Sequence, residues 1–172
     1  MHITKILSFI VTMTFLLFSC IKDDESETIN YINVNSQIPT FAVEDTAGNT
    51  FSSKQFIGKQ SLLVFFGTYC PDCKQVLPVI EEVWKELKDD PRFLLVTISR
   101  KETAEVVYNY WKENQFTMPF YLDTRGEVFS LFANNTIPRI YIINPDNEVV
   151  WMAVESLDIS AKELIQKIKG LK

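Results

Sequence analysis

Two cysteines three residues apart, Cys70 and Cys73, are the side chains of this sequence best suited to chemistry. They lie in Gly67-Thr68-Tyr69-Cys70-Pro71-Asp72-Cys73-Lys74, after an apolar run at 62–66 and before a helical pattern. Strand, short turn and helix in that order place Cys70 at a helix N-terminus, where unpaired backbone N–H groups and the macrodipole stabilise a thiolate. A spacing of three along a helix brings both sulfurs to one face, close enough to close a small disulfide ring. Such a pair can shuttle between dithiol and disulfide. Two blander readings compete. Half of a zinc site needs four ligands, and beyond this pair the chain has only Cys20 and His2, both at the extreme N-terminus. A purely structural disulfide across so short a loop would constrain the unfolded chain little.

The segment from Phe66 to Pro78 resembles the active-site segment of the thioredoxin superfamily, including a proline five residues after the second cysteine. A proline inside a helix removes the bond to the carbonyl of Lys74 and kinks the axis. The Pro39-x-Phe41 opening is similar to the TlpA/ResA group, the membrane-tethered branch. The resemblance covers essentially 38–172 and implies a cis-proline at Pro138 facing the CxxC, with substrate held by the backbone of Ile137. It implies that Cys70 is the more exposed, nucleophilic thiol and Cys73 the resolving one, so the redox-active disulfide Cys70–Cys73 is the working group and no metal or other cofactor is expected. Tyr69, where the family often has tryptophan, is expected to line a substrate groove with Pro71 and Asp72. Asp72 should oppose a Cys70 thiolate, which points to a reductant rather than a strong oxidant.

Two departures bear on proton handling. Val64 stands where cytosolic thioredoxins carry a buried acid, and Arg100 where ResA-like proteins place one. A proton acceptor for Cys73 would then be water or a neighbour such as Glu102. Arg100 and Arg139 are expected to be solvated at the surface.

Residues 1–19 read as a signal peptide, with Lys5 in the n-region and an apolar stretch at 6–18 that is too short to span a bilayer. Leu17-Phe18-Ser19-Cys20 resembles the bacterial lipobox, which implies lipidation of Cys20. Residues 20–37 are polar and aperiodic, and read as the lipidated cysteine and a tether. The Lys22-Asp23-Asp24-Glu25 stretch is similar to a surface-export signal of Gram-negative lipoproteins, or is simply a solvated linker. The expected location is the envelope of a Gram-negative bacterium, lipid-anchored and facing the periplasm, with the outer surface as the alternative.

The 172 residues are 47% hydrophobic and 23% charged, with net charge −5, an ordinary globular composition. No basic block appears, which argues against nucleic-acid binding. The domain at 38–172 reads as a hairpin at 38–51, a helical turn at 52–56, a doubly buried strand at 62–66 and a helix at 71–89. A strand at 93–98, a helix at 102–115 and a short strand at 120–122 follow; this last helix and strand resemble the central insertion of the TlpA/ResA group. A short helix at 127–133, a hairpin at 137–154 and a capped helix beginning at Ser160 close the chain. This is an α/β order, that of a thioredoxin-like fold: a central mixed sheet flanked by helices, with an N-terminal hairpin and a central helix–strand insertion.

The expected function is a lipid-anchored thiol–disulfide oxidoreductase. Its expected partners are disulfide-containing exported proteins, an upstream membrane electron donor, and the membrane itself through the lipid. The alternatives are a non-catalytic binding lipoprotein on the same scaffold, or a thiol peroxidase. The peroxidase signature would need proline at 63 and threonine at 67, where the chain has Leu63 and Gly67. A copper carrier of the Sco kind would add a histidine ligand, which the mature chain lacks.

Overall fold

The computed structural model describes residues 27–171; the expected signal peptide at 1–19, Cys20 and the first part of the expected tether lie outside them. Strand β3 (Gln60–Phe66) buries all seven of its residues. The unalternating apolar run follows from its place in the sheet, because a central strand is covered on both faces. It pairs in parallel with β4 (Phe93–Arg100) on one side and antiparallel with β6 (Arg139–Ile143) on the other. β5 (Tyr121–Asp123), β1 (Ala42–Glu44) and β2 (Thr50–Ser52) extend one edge, and β7 (Val149–Val154) the other, giving the order β2-β1-β5-β4-β3-β6-β7.

Successive residues of a strand point to opposite faces, and Phe65 and Phe66 show what each face meets. The Phe65 ring meets Phe129 and Phe132, whereas the Phe66 ring meets Trp111 of helix α2 (Ala104–Glu113). The apolar stripe of α1 (Pro71–Leu87) is buried through Val76, Leu77, Ile80, Val83 and Leu87, and the helix runs on through Pro78. It packs against α3 (Ala161–Lys169), whose N-cap Ser160 hydroxyl accepts from the Glu163 N–H. Glu81 breaks the stripe yet is buried; its carboxylate accepts from Thr117 N–H, the Thr117 hydroxyl and Met118 N–H, which pins the segment after α2 to the active-site helix.

Three expectations change. The helix expected over 102–115 starts only at Ala104, because Lys101 takes a left-handed φ of 59° and Glu102 turns inward. The helix expected over 127–133 shrinks to a 3-10 turn, Phe129–Leu131. The tether expected to run to 37 is docked from residue 27 onward: Tyr31 and Ile32 N–H both donate to the Phe132 carbonyl, and Ser36 pairs with Val149. Its polar composition concealed this, since the docking uses backbone groups and asparagine side chains that leave no hydrophobic period.

Candidate active site

The end of β3 and the start of α1 place the two cysteines. Cys70 is the N-cap of α1, Pro71 fills the first helical position, where its missing N–H is harmless, and Asp72 lies in the first turn. The Cys70 sulfur accepts the Cys73 N–H at 3.3 Å, so the thiol does the work usually left to a serine or aspartate oxygen. The sulfurs are not bonded to one another. Cys70 is 8% exposed and Cys73 is fully enclosed, which sets an outer and an inner thiol.

From the other side comes the loop before β6. The Ile137–Pro138 peptide bond is cis, and the Cys70 thiol donates to the Ile137 carbonyl at 3.4 Å. Tyr69 stands beside them, 59% exposed. A Cβ on Gly67 would come within 2.7 Å of the Tyr69 ring and 3.0 Å of Ile137 Cδ1, so the glycine is what lets the Tyr69 ring lie where it does. Gly67→Ala is expected to swing Tyr69 outward and raise KM for a protein disulfide about tenfold while leaving the melting temperature nearly unchanged, since the ring is already mostly in water. Steady-state kinetics beside thermal unfolding checks this, and an unaltered KM would refute it.

Burial pushes the Cys73 thiol far up, and the hydrogen bond with Cys70 and the charges of Cys70 and Asp72 push the same way, against a lowering contribution from the Gly67 backbone. Asp72 thus acts on the inner thiol. A thiol raised in the folded state keeps its proton while the unfolded chain loses it, so the stability it contributes is intact below the ordinary thiol value of 9.0 and is lost as pH rises above it. The dithiol protein is expected to lose about 1 kcal/mol between pH 9 and 10 through this group, the slope steepening toward about 1.4 kcal/mol per pH unit above that. Urea unfolding across that range checks it; Cys73→Ala should flatten the slope, and an equal slope in the variant would count against the assignment.

The turn Thr68-Tyr69 is held from the bend just after β4. Glu102 is 9% exposed and its carboxylate accepts three hydrogen bonds: from Thr68 N–H at 2.9 Å, from the Thr68 hydroxyl, and from the Ser99 hydroxyl at 2.8 Å. It was expected only as one possible proton acceptor; the geometry makes it the clamp of the active-site turn. Sequence reasoning missed Thr68 and Ser99 altogether, because Thr68 meets Glu102 only once β3 and β4 lie side by side, and Ser99 only because Glu102 turns inward at the end of β4. The Tyr110 hydroxyl on α2 is held protonated to higher pH chiefly by burial, with the charges of Cys73 and Glu102 adding to it, which puts α2 within electrostatic reach of the site.

The arginines correct the surface expectation. Arg139 is fully buried, and Arg100 lies half-buried with its guanidinium 4.1 Å from the centre of the Phe129 ring. The long, weakly hydrated guanidinium tolerates such places when carbonyls or a ring face receive it. Val64 is core. A groove of about 310 Å³ lined by Glu44, Asp45, Asp123, Arg125 and Glu127 lies at the other edge of the sheet and holds neither cysteine.

An outer thiol at a helix N-cap, an inner thiol beneath it and a cis-proline loop opposite form one constellation. The Redoxin family matches residues 33–165. The chain belongs to the Redoxin family. Thiol-disulfide oxidoreductase ResA of Bacillus subtilis (strain 168) is 30% identical over 119 residues, covering 69% of this chain and 66% of that protein, so the chain spans about two thirds of that relative's length. Among solved structures, StoA from Bacillus subtilis is 25% identical with a TM-score of 0.64, covering 75% of this chain and 96% of StoA. A Bacteroides thetaiotaomicron protein solved in solution is 26% identical with a TM-score of 0.76, covering 81% and 90% of the two chains. This Redoxin chain therefore sits among the ResA-type thiol–disulfide oxidoreductases of the thioredoxin-like superfamily, with the mixed seven-stranded sheet and helices of that fold.

Proposed function

We propose that this chain reduces or exchanges disulfides of exported proteins, using Cys70 and Cys73 as a two-electron couple, while anchored to the cell envelope through lipid on Cys20. The observation that carries the reading is the stacking of an outer thiol, lodged between a helix N-terminus and the Ile137 carbonyl, over an enclosed inner one. The Cys70 thiolate attacks one sulfur of the substrate disulfide; that bond breaks and its other sulfur leaves as a thiolate that takes up a proton. Cys73 then loses its proton and attacks Cys70, releasing the second substrate thiol and leaving the Cys70–Cys73 disulfide. A membrane electron donor returns the two electrons. Tyr69, Pro71, Asp72, Ile137 and Pro138 form the rim on which a substrate strand would lie.

The short stretch from Cys20 to Glu27 supports a working position close to the lipid, since seven residues reach at most about 25 Å. The location proposed is the envelope of a Gram-negative bacterium, on its periplasmic side. The test is to express Cys73→Ala in the full chain and collect mixed disulfides from the envelope. Adducts on Cys70 that dithiothreitol releases are expected; their absence would leave the non-catalytic binding lipoprotein as the better reading.

A further inference from the structure

The loop that offers Ile137 to Cys70 is held by the N-terminal segment, and through one buried cation. Arg139 is 0% exposed. Among the described residues no carboxylate lies within ion-pair distance of it. Its donors go instead to neutral oxygens: Nε to the Thr136 carbonyl at 2.8 Å and the Asn135 carbonyl at 3.2 Å, the second terminal nitrogen to the Asn135 carbonyl at 3.0 Å, and the first to Asn30 Oδ1 at 2.6 Å. The guanidinium fork thus grips the two peptide units immediately before Ile137. Thr136 has a left-handed φ of 73°, a conformation that a β-branched residue keeps only where its surroundings over-determine it.

Residues before Asn30 supply the rest of that determination. Ile29 N–H donates to Asn134 Oδ1 at 2.8 Å, Asn134 Nδ2 to the Glu27 carbonyl at 2.9 Å, and Asn134 N–H to the Ile29 carbonyl at 3.3 Å. The Thr28 and Thr136 hydroxyls share a hydrogen bond of 2.9 Å. A segment more than a hundred residues away in sequence therefore stands in series with the active-site loop: residues 27–32, then 134–136, then Ile137, then Cys70.

We propose that Asn30 and Arg139 form a positioning latch by which residues 27–32 fix the loop at 134–137 against Cys70, and so set how a polypeptide disulfide docks. This rests on the oxidoreductase reading above. Asn30 touches no reacting atom; it acts through Arg139 and the two carbonyls. Removing its oxygen leaves one guanidinium nitrogen of a buried cation without its acceptor, and the loop loosens where substrate backbone would lie.

The test uses the full chain with Asn30→Ala and Asn30→Asp, followed by insulin-reduction kinetics and by hydrogen exchange of the peptide covering 132–137. Asn30→Ala is expected to raise KM about tenfold with kcat within about twofold, and to speed exchange at Asn134, whose N–H is held by Ile29. Asn30→Asp keeps an acceptor and should restore both. An active Asn30→Ala with unchanged KM overturns the latch. Equal losses in kcat and KM that Asp fails to restore mean general destabilisation, and overturn it too. Should the wild-type chain not reduce insulin, the oxidoreductase reading fails by itself. Exchange then decides the latch separately: unchanged protection in Asn30→Ala refutes it, and faster exchange supports the contact while removing its docking role.

Discussion

Cys70→Ser is expected to lower insulin reduction by at least about a thousandfold, with the fold intact, because the attacking atom is removed while its surroundings are not. A serine hydroxyl can still cap α1 by accepting the Cys73 N–H that the sulfur now accepts at 3.3 Å. It has no accessible anion near neutral pH and cannot form a disulfide with substrate. Cys73→Ala should behave differently: it leaves the first attack in place and blocks only release, so single-turnover labelling of Cys70 survives while turnover stops. Insulin turbidity together with mass spectrometry of the protein separates the two. Substantial turnover by Cys70→Ser would mean that the chemistry lies elsewhere in the molecule.

Glu102→Ala is expected to cost about 3 kcal/mol and to lower kcat/KM by about tenfold to a hundredfold, because it strands buried donors and releases the active-site turn together. The Thr68 N–H, the Thr68 hydroxyl and the Ser99 hydroxyl all lose their acceptor at once. Thr68 is two residues from Cys70, so a freed turn shifts the N-cap as well as the Tyr69 ring. Glu102→Gln keeps one oxygen, and its amide can donate to the Thr68 hydroxyl, so it should retain most of the stability and activity. The pair of variants separates clamping from proton transfer: a carboxylate needed to carry the Cys73 proton would make glutamine as damaging to kcat as alanine. Urea unfolding and insulin kinetics on both variants provide the readout, and alanine matching wild type in both would remove Glu102 from the site.

Much of this was legible in the chain. The run at 62–66 has no polar alternation, and it becomes β3, covered on both faces. The α1 stripe, Pro71 as first helical residue and the Ser160 cap were readable because each rests on neighbours within four positions. Cys70 and Cys73 belong to that local grammar, since a strand-to-helix turn dictates where both sulfurs go. Pro138 could be picked out only through family resemblance, as nothing local to Ile137 refers to Cys70.

What the tertiary structure alone decided are contacts between residues far apart in sequence. Glu102 and Thr68 are brought together by the parallel register of β3 and β4, which sets Phe66 opposite Ser99. Arg139 reads as a surface cation until carbonyls of its own loop and Asn30 surround it. Residues 27–37 read as a solvated tether because asparagines and exposed backbone have no period; they dock by pairing with groups of the domain that exist only once the sheet has formed. Local chemistry can be inferred from one stretch of chain, whereas the groups that hold that chemistry in place become neighbours only through folding.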